Sequence, residues 1–322
     1  MSRASSVRME ALGLSLGSQR RPLEEAARRG ELRSSTEALS RAGFVEHHCC
    51  DDEQSVLDLA LAAVEQLPSV EGVGLIVFAT GFPASGALVS RERFEASGDV
   101  RHLLVSPAAR LQAELGLSQA EVLGLSQLAC TTSLAALEVG RRALLERPDF
   151  ERVLCVTADR LPEGALREQS FNLISDGAAA CLLSRDTSGP RLLASGGRCL
   201  GVLADAGDEV LAASYFSHGR ELVLETLGRA GLGLEQLDDL VLQNVPVAAQ
   251  HVLASVLGLP PERVHCPTRA EVGHVISVDN FFNWRALTTS ELREEDQQDR
   301  NVALLSVGYG QNWQCQVLGE AA

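Results

Sequence analysis

The second half of this chain repeats the first, and a repeat of this kind leaves few folds open. The apolar run VGLIVFAT at Val73–Thr80 is answered by an apolar stretch at Leu240–Gln243. ARLQAELGL, Ala109–Leu117, is matched by QHVLASVLGL, Gln250–Leu259, and RVLCVTA, Arg152–Ala158, by NVALLSVG, Asn301–Gly308. A helix expected over Asp52–Leu67 has a counterpart over Val210–Ala230. Strand-length apolar runs alternating with helices predict an α/β protein whose strands are buried on both faces. Further strands are expected at Met9–Leu16 and Val122–Leu128, and after a tight turn at Asp176–Gly177. Leu23–Arg29 reads as a short helix, Leu39–Cys50 as loop, and Gly81–Leu104 as a long loop with one helical turn.

Within this frame SQLACTTSLAALEVGRRALL, Ser126–Leu145, reads as a strand end, then Cys130, then a helix opened by Thr131, Thr132 and Ser133. Unpaired N–H groups and the macrodipole at a helix start favour thiolate, so Cys130 is a candidate nucleophile. Cys130 and His274 stand at similar distances beyond the glycines Gly116 and Gly258, which close the matched LGL segments. Equivalent sites in two copies of one α/β unit can face each other across the internal pseudo-two-fold. Asp279, five residues beyond His274, could accept the other ring N–H, and equally suits a helix start.

The chain has 322 residues and a net charge of −15, which argues against a nucleic-acid or anionic-membrane partner. No apolar run approaches the ~20 residues of a membrane span. The eight cysteines form no CxxC pair, so no metal site is expected, and free thiols point to a cytoplasmic setting.

GLIVFAT, LGLSQAEVLGLSQLACTTSLAAL, ISDGAAACLL, VLQNVPVAAQHVLASVLGL with the following VGH, and VGYGQNW together resemble the β-ketoacyl synthase III branch of the thiolase-fold condensing enzymes. The resemblance covers nearly the whole chain. It implies a duplicated βαβαβαββ unit, residues 1–187 and 188–322, forming five αβαβα layers. It further implies a homodimer and acyl-thioester chemistry at Cys130. The oxyanion hole would use the N–H groups of Cys130 and the Gly308–Gly310 loop, with Gly310 foremost.

The chain departs from that family at two positions. The family histidine of a Pro-His-Gln-Ala-Asn block is replaced where Leu242-Gln243-Asn244-Val245-Pro246 stands, and the family asparagine after glycine is replaced by His274. Decarboxylative condensation uses that histidine and asparagine together to stabilise an enolate. A Cys130–His274–Asp279 set needs no decarboxylation and suits transfer of an acyl group to an alcohol, amine or thiol in a biosynthetic pathway. Gln243 or Asn244 would then hold the substrate carbonyl, and Asp279→Asn should cost less than loss of His274. Carbon–carbon condensation and a non-catalytic partner subunit are the other readings.

No cofactor is expected; the substrate would be an acyl thioester of coenzyme A or of an acyl carrier protein. Arg41 falls on an arginine that in the family touches the adenine end of coenzyme A, while Glu37 replaces the stacking tryptophan, favouring a carrier-protein donor. Arg141, Arg142 and Arg147, or Arg160 and Arg167, are candidates for a carrier-docking patch, or solvated faces. Gly81–Leu104 is expected to meet a second subunit or cover the acyl pocket.

Overall fold

The computed structural model describes residues 6–82, 91–103, 106–170, 172–185, 188–203, 206–289, 300–309 and 311–319. The main elements of the first half are β1 (Val7–Leu16), α1 (Val56–Val64), β2 (Val73–Ala79), α2 (Pro107–Glu114), β3 (Glu121–Leu125), α3 (Thr132–Glu146), β4 (Arg152–Asp159) and β5 (Gly177–Arg185). The second half gives β6 (Arg191–Cys199), α4 (Asp208–Arg229), β7 (Asp239–Leu242), α5 (Val247–Leu257), β8 (Val264–His265), α6 (Asp279–Thr288), β9 (Val302–Gly308) and β10 (Asn312–Gly319).

Both series read βαβαβαββ. The strands run β8-β7-β9-β10-β6-β1-β5-β4-β2-β3, so each half has the same internal order, reflected about the β1–β6 junction. In each half the second strand is parallel to the third and fourth, and the fifth is antiparallel to its neighbours. The halves join at Arg8 opposite Arg191. Helix α3 packs against β2, β4 and β5 of one half and β6 and β10 of the other, and α6 packs against β7, β9 and β1. With α1 and α2 outside the first half and α4 and α5 outside the second, the layers run αβαβα.

Local chemistry sets these elements. β2 and β4 are buried along nearly their whole length, as their unbroken apolar runs require. Ser55 and Asp58 form a capping box that starts α1 four residues later than Asp52. Ser106 caps α2, with Pro107 at its first turn, where the missing N–H costs nothing. Gly116 and Gly258 both adopt left-handed backbone (φ +67° and +73°) just after the paired helices α2 and α5, so the repeat extends to their stop signals.

Two loop assignments are corrected. Leu39–Cys50 contains the end of a helix, Thr36–Arg41, and a strand, Glu46–Cys49, paired with Gln19–Pro22. Neither is long enough for its periodicity to stand out in sequence. In Gly81–Leu104, residues 83–90 and 104 lie outside the described residues. The remainder carries a helix, Arg91–Ser97, and a 3₁₀ turn, Val100–Leu103, with Phe82, Val100 and Leu103 exposed.

The strand at Glu46–Cys49 buries His47 completely, with no hydrogen-bond partner on either ring nitrogen among the described residues. Burial, then the cations Arg167 and Arg21, push its pKa down from 6.5 to about 4, against the pull of Asp176. A depressed histidine binds its proton more readily when unfolded, so stability should fall as pH drops from about 6.5 to about 4. The loss is of order 3 kcal/mol. His274, shifted upward, contributes nothing to this loss because its own contribution is complete below 6.5. In denaturant titrations from pH 7 to pH 4, His47→Phe should flatten the acid limb; an unchanged limb would contradict the assignment.

Candidate active site

The chain turns sharply ahead of Cys130. Gln127 and Ala129 have positive φ (69° and 48°), sparsely populated for residues with a Cβ. A 3₁₀ turn, Ala129–Thr131, then feeds α3. Thr131 and Thr132 do not cap the helix through their side chains as expected. Their hydroxyls donate back to the carbonyls of Leu128 and Ala129, at 2.7 and 2.5 Å, and so tighten the turn itself. Ser133 donates to the Ser277 carbonyl. Cys130 is partly buried against Leu161, Ala165, Ile174 and Ile276, an apolar wall beside the sulfur.

His274 reaches this sulfur from the other half. Its Nε2 lies 3.4 Å from Cys130 Sγ across 144 residues of sequence. Gly273 precedes it at φ +71°, and a Cβ there would fall 2.7 Å from the Leu173 carbonyl, so only glycine fits. The backbone of His274 is then fixed by a bridge to Leu173–Ser175: its N–H donates to Leu173 at 2.7 Å and its carbonyl accepts from Ser175 at 2.9 Å.

Asp279 is fully buried and accepts from His274 Nδ1, from the Asn244 N–H at 2.8 Å and from the Val275 N–H at 2.5 Å. With Nδ1–H donated to Asp279, Nε2 faces the sulfur. Burial alone would depress the imidazole. The Asp279 carboxylate and then the Cys130 sulfur outweigh burial and hold His274 well above its ordinary range.

Asn244 has both amide hydrogens bonded within the protein, and Gln243 is tied to Val307. Gln243 spends its amide on Val307, donating at 3.0 Å and accepting at 2.7 Å. Asn244 donates to the Gly273 carbonyl at 2.6 Å and Thr268 Oγ1 at 3.2 Å, and accepts from Asn283 at 2.9 Å. For Asn244 the expected contact with a substrate carbonyl is therefore corrected; both amides hold together the strand ends that carry His274 and the 308 turn. Gly308 packs against the elbow, and a Cβ there would lie 2.6 Å from the Leu128 carbonyl and 3.2 Å from the Cys130 nitrogen. Gly310 lies outside the described residues.

Arg41 is exposed at the last turn of its helix, and Glu37 is exposed on the same helix. The candidate basic patches are largely spent. Arg141 and Arg142 both pair with Glu138, Arg147 pairs with Glu121 and Asp149, Arg160 donates to the Gln54 carbonyl, and Arg167 is buried against Asp176.

Sequence reasoning missed two buried carboxylates near the site. Asp176 accepts from both Arg167 terminal nitrogens (2.7 and 3.1 Å) and from the Cys50 and Leu161 N–H groups at 2.8 Å. Asp159, at the end of β4, accepts from Thr80 Oγ1, the Gly81 and Phe82 N–H groups and Ser277 Oγ. Neither stands in a motif of its own; the fragment Ser175-Asp176-Gly177 in a turn was the one available sign.

This architecture has close counterparts among solved structures. The synthase III of Thermus thermophilus superposes with a TM-score of 0.77 at 23% identity, over 98% of this chain and all of that one. The chain has the thiolase fold of the β-ketoacyl synthase III structures. An acyltransferase named ChlB3 matches this synthase III-like chain equally well, with a TM-score of 0.78 at 18% identity over 98% of this chain and 97% of that one. OleA of Xanthomonas campestri, bound to cerulenin, gives 0.75 at 17%, over 98% and 99%. In sequence, a β-ketoacyl-[acyl-carrier-protein] synthase III of Lactobacillus delbrueckii subsp. bulgaricus is 24% identical, covering 87% of this chain and 88% of its own. No protein-family model matches the chain. Among the described residues no helix is long and apolar enough to cross a membrane.

Proposed function

We infer that the chain is an acyltransferase that receives an acyl group from a phosphopantetheine thioester onto Cys130 and passes it to an acceptor nucleophile. The observation that carries this reading is the Cys130–His274–Asp279 alignment, together with Gln243, bonded to Val307, standing where the condensing histidine would be. The thiol proton rests on His274 Nε2, and the Cys130 thiolate attacks the thioester carbonyl. The oxyanion meets the Cys130 N–H and the turn after Gly308. Collapse expels the pantetheine thiolate, which takes the proton from His274. His274 then removes the proton of an incoming alcohol, amine or thiol as that group attacks the acyl-enzyme, and Cys130 leaves as thiolate.

The donor reading, carrier protein or coenzyme A, rests on Arg41 and Glu37 alone. The five arginines considered for docking an acidic carrier are bonded within the protein. A place in a biosynthetic pathway outside chain initiation fits the loss of the condensing pair. A homodimer is supported by β3, an edge strand whose Val122 and Leu123 stay exposed. The eight cysteines are free, as a reducing cytoplasm would keep them.

Condensation is the second reading, favoured by the relatives that are named synthases. A malonyl thioester offered to the acylated enzyme separates the two. Acyl transfer predicts no carbon dioxide above the uncatalysed background. Release that tracks enzyme concentration would establish condensation instead.

A further inference from the structure

The spacing of Cys130 and His274 depends on two segments from opposite halves that share no secondary structure, the elbow before α3 and the Gly273–Asp279 loop. Besides the reacting pair itself, Ser277 ties them by hydrogen bonds. Ser277 accepts from Ser133 Oγ through its carbonyl, and its hydroxyl lies 3.2 Å from the carbonyl of Ala129, the strained residue immediately before the nucleophile. The same hydroxyl lies 2.7 Å from Asp159 Oδ2. Asp159 in turn holds the chain leaving β2, through Thr80 Oγ1 at 2.8 Å, Gly81 N–H at 2.7 Å and Phe82 N–H at 3.2 Å. Ser277 and Asp159 are both fully buried. Gly81 closes the arrangement: a Cβ there would stand 3.0 Å from Ser277 Oγ and 3.1 Å from the Ala129 carbonyl.

We propose that Ser277 and Asp159 are positioning residues that latch the His274 loop to the nucleophile elbow and so set the distance between imidazole and thiol. The proposal rests on the reading of Cys130 and His274 as a reacting pair.

The serine has one proton and two acceptors, and the state of Asp159 decides where it goes. An ionised Asp159 draws it to Oδ2. A protonated Asp159 donates to Ser277 Oγ and frees the serine proton for Ala129. Burial pushes the Asp159 carboxyl up, against the four donors that pull it down. An asparagine at 159 would keep every contact, its oxygen accepting from residues 80–82 and its amide donating to Ser277.

The test uses two readouts. Cys130 is alkylated with iodoacetamide across pH 5–9 and followed by peptide mass, which distinguishes it from exposed Cys199; acyl transfer is followed as kcat and KM. A protonated His274 close to the sulfur stabilises the thiolate, so thiolate persists to lower pH; loosening the pair moves the acid limb of alkylation upward. Ser277→Ala should move that limb up by about one pH unit and lower kcat by about 10–100-fold, the low end of what a misplaced base costs, with the donor KM within about twofold. Asp159→Ala should do the same, and Asp159→Asn should recover most of the loss.

An unchanged alkylation profile in Ser277→Ala overturns the latch, and so does an Asp159→Asn variant as impaired as Asp159→Ala. Alkylation needs no acyl donor. A wild-type protein that accepts no acyl group from any thioester would refute the functional reading while the alkylation profiles still decide the latch.

Discussion

His274→Ala should lower acyl transfer by ~10²–10⁴, the usual worth of a positioned general base. The imidazole is the basic group seen beside Cys130 among the described residues, and both proton transfers of the cycle pass through it. Neutral amides at 243 and 244 cannot substitute, because they have no useful basicity near pH 7 and are already bonded. Sequence alone assigns Asp279→Asn a smaller loss, since the carboxylate orients and transfers no proton. The geometry raises that figure. The oxygen of Asp279 that accepts from His274 also accepts from the Asn244 N–H, and its other oxygen accepts from Val275. An asparagine must point its NH₂ at some of these donors, which either breaks the loop or forces His274 into the tautomer with its proton toward sulfur. Asp279→Asn should therefore approach His274→Ala in rate. Steady-state kinetics on both variants checks this; an Asp279→Asn enzyme within about fivefold of wild type would refute it.

Asp176→Ala should destabilise the fold by ~3–5 kcal/mol, the cost of leaving a buried charge unpaired. Arg167 is nine-tenths buried, and burial, opposed by its bonds to Asp176, sets its environment. Without Asp176 the guanidinium loses both of its short contacts, and the N–H groups of Cys50 and Leu161 lose their acceptor. The midpoint of thermal unfolding should drop by roughly 5–10 °C. Arg167→Met should cost less, because Asp176 keeps two backbone donors. Equal loss in the two variants would show that the pair acts through something other than the stranded cation.

How much of this was legible in the sequence follows from the range of the interactions. Local signals carried unevenly: the glycines of the matched LGL segments, 116 and 258, stand just past helix ends in the structure, whereas the Ser55–Asp58 capping box lies inside the helix expected from Asp52. The repeat then carried a non-local inference, placing Cys130 and His274 in equivalent positions of two units, and the two side chains do meet. What sequence could not show is the partnering of buried polar groups. Asp159 and Ser277 are 118 residues apart and lie in no periodic pattern. Gln243 and Asn244 could be placed near the site by position, but their bonds to Val307, Gly273 and Thr268 exist only once β7, β9 and the 273 loop are assembled. The short strand at Glu46–Cys49 likewise owes its existence to pairing with Gln19–Pro22, not to its own pattern.

The central claim is that Cys130 carries the acyl group. Intact-mass measurement after mixing the protein with short-chain acyl thioesters of coenzyme A and of carrier protein tests it most directly. Wild-type protein should gain one acyl mass per chain, mapped to the peptide containing Cys130. Cys130→Ala, which removes one sulfur atom and leaves the fold intact, should gain none. Acylation that persists in Cys130→Ala would contradict the account, as would a wild-type chain that no acyl thioester modifies.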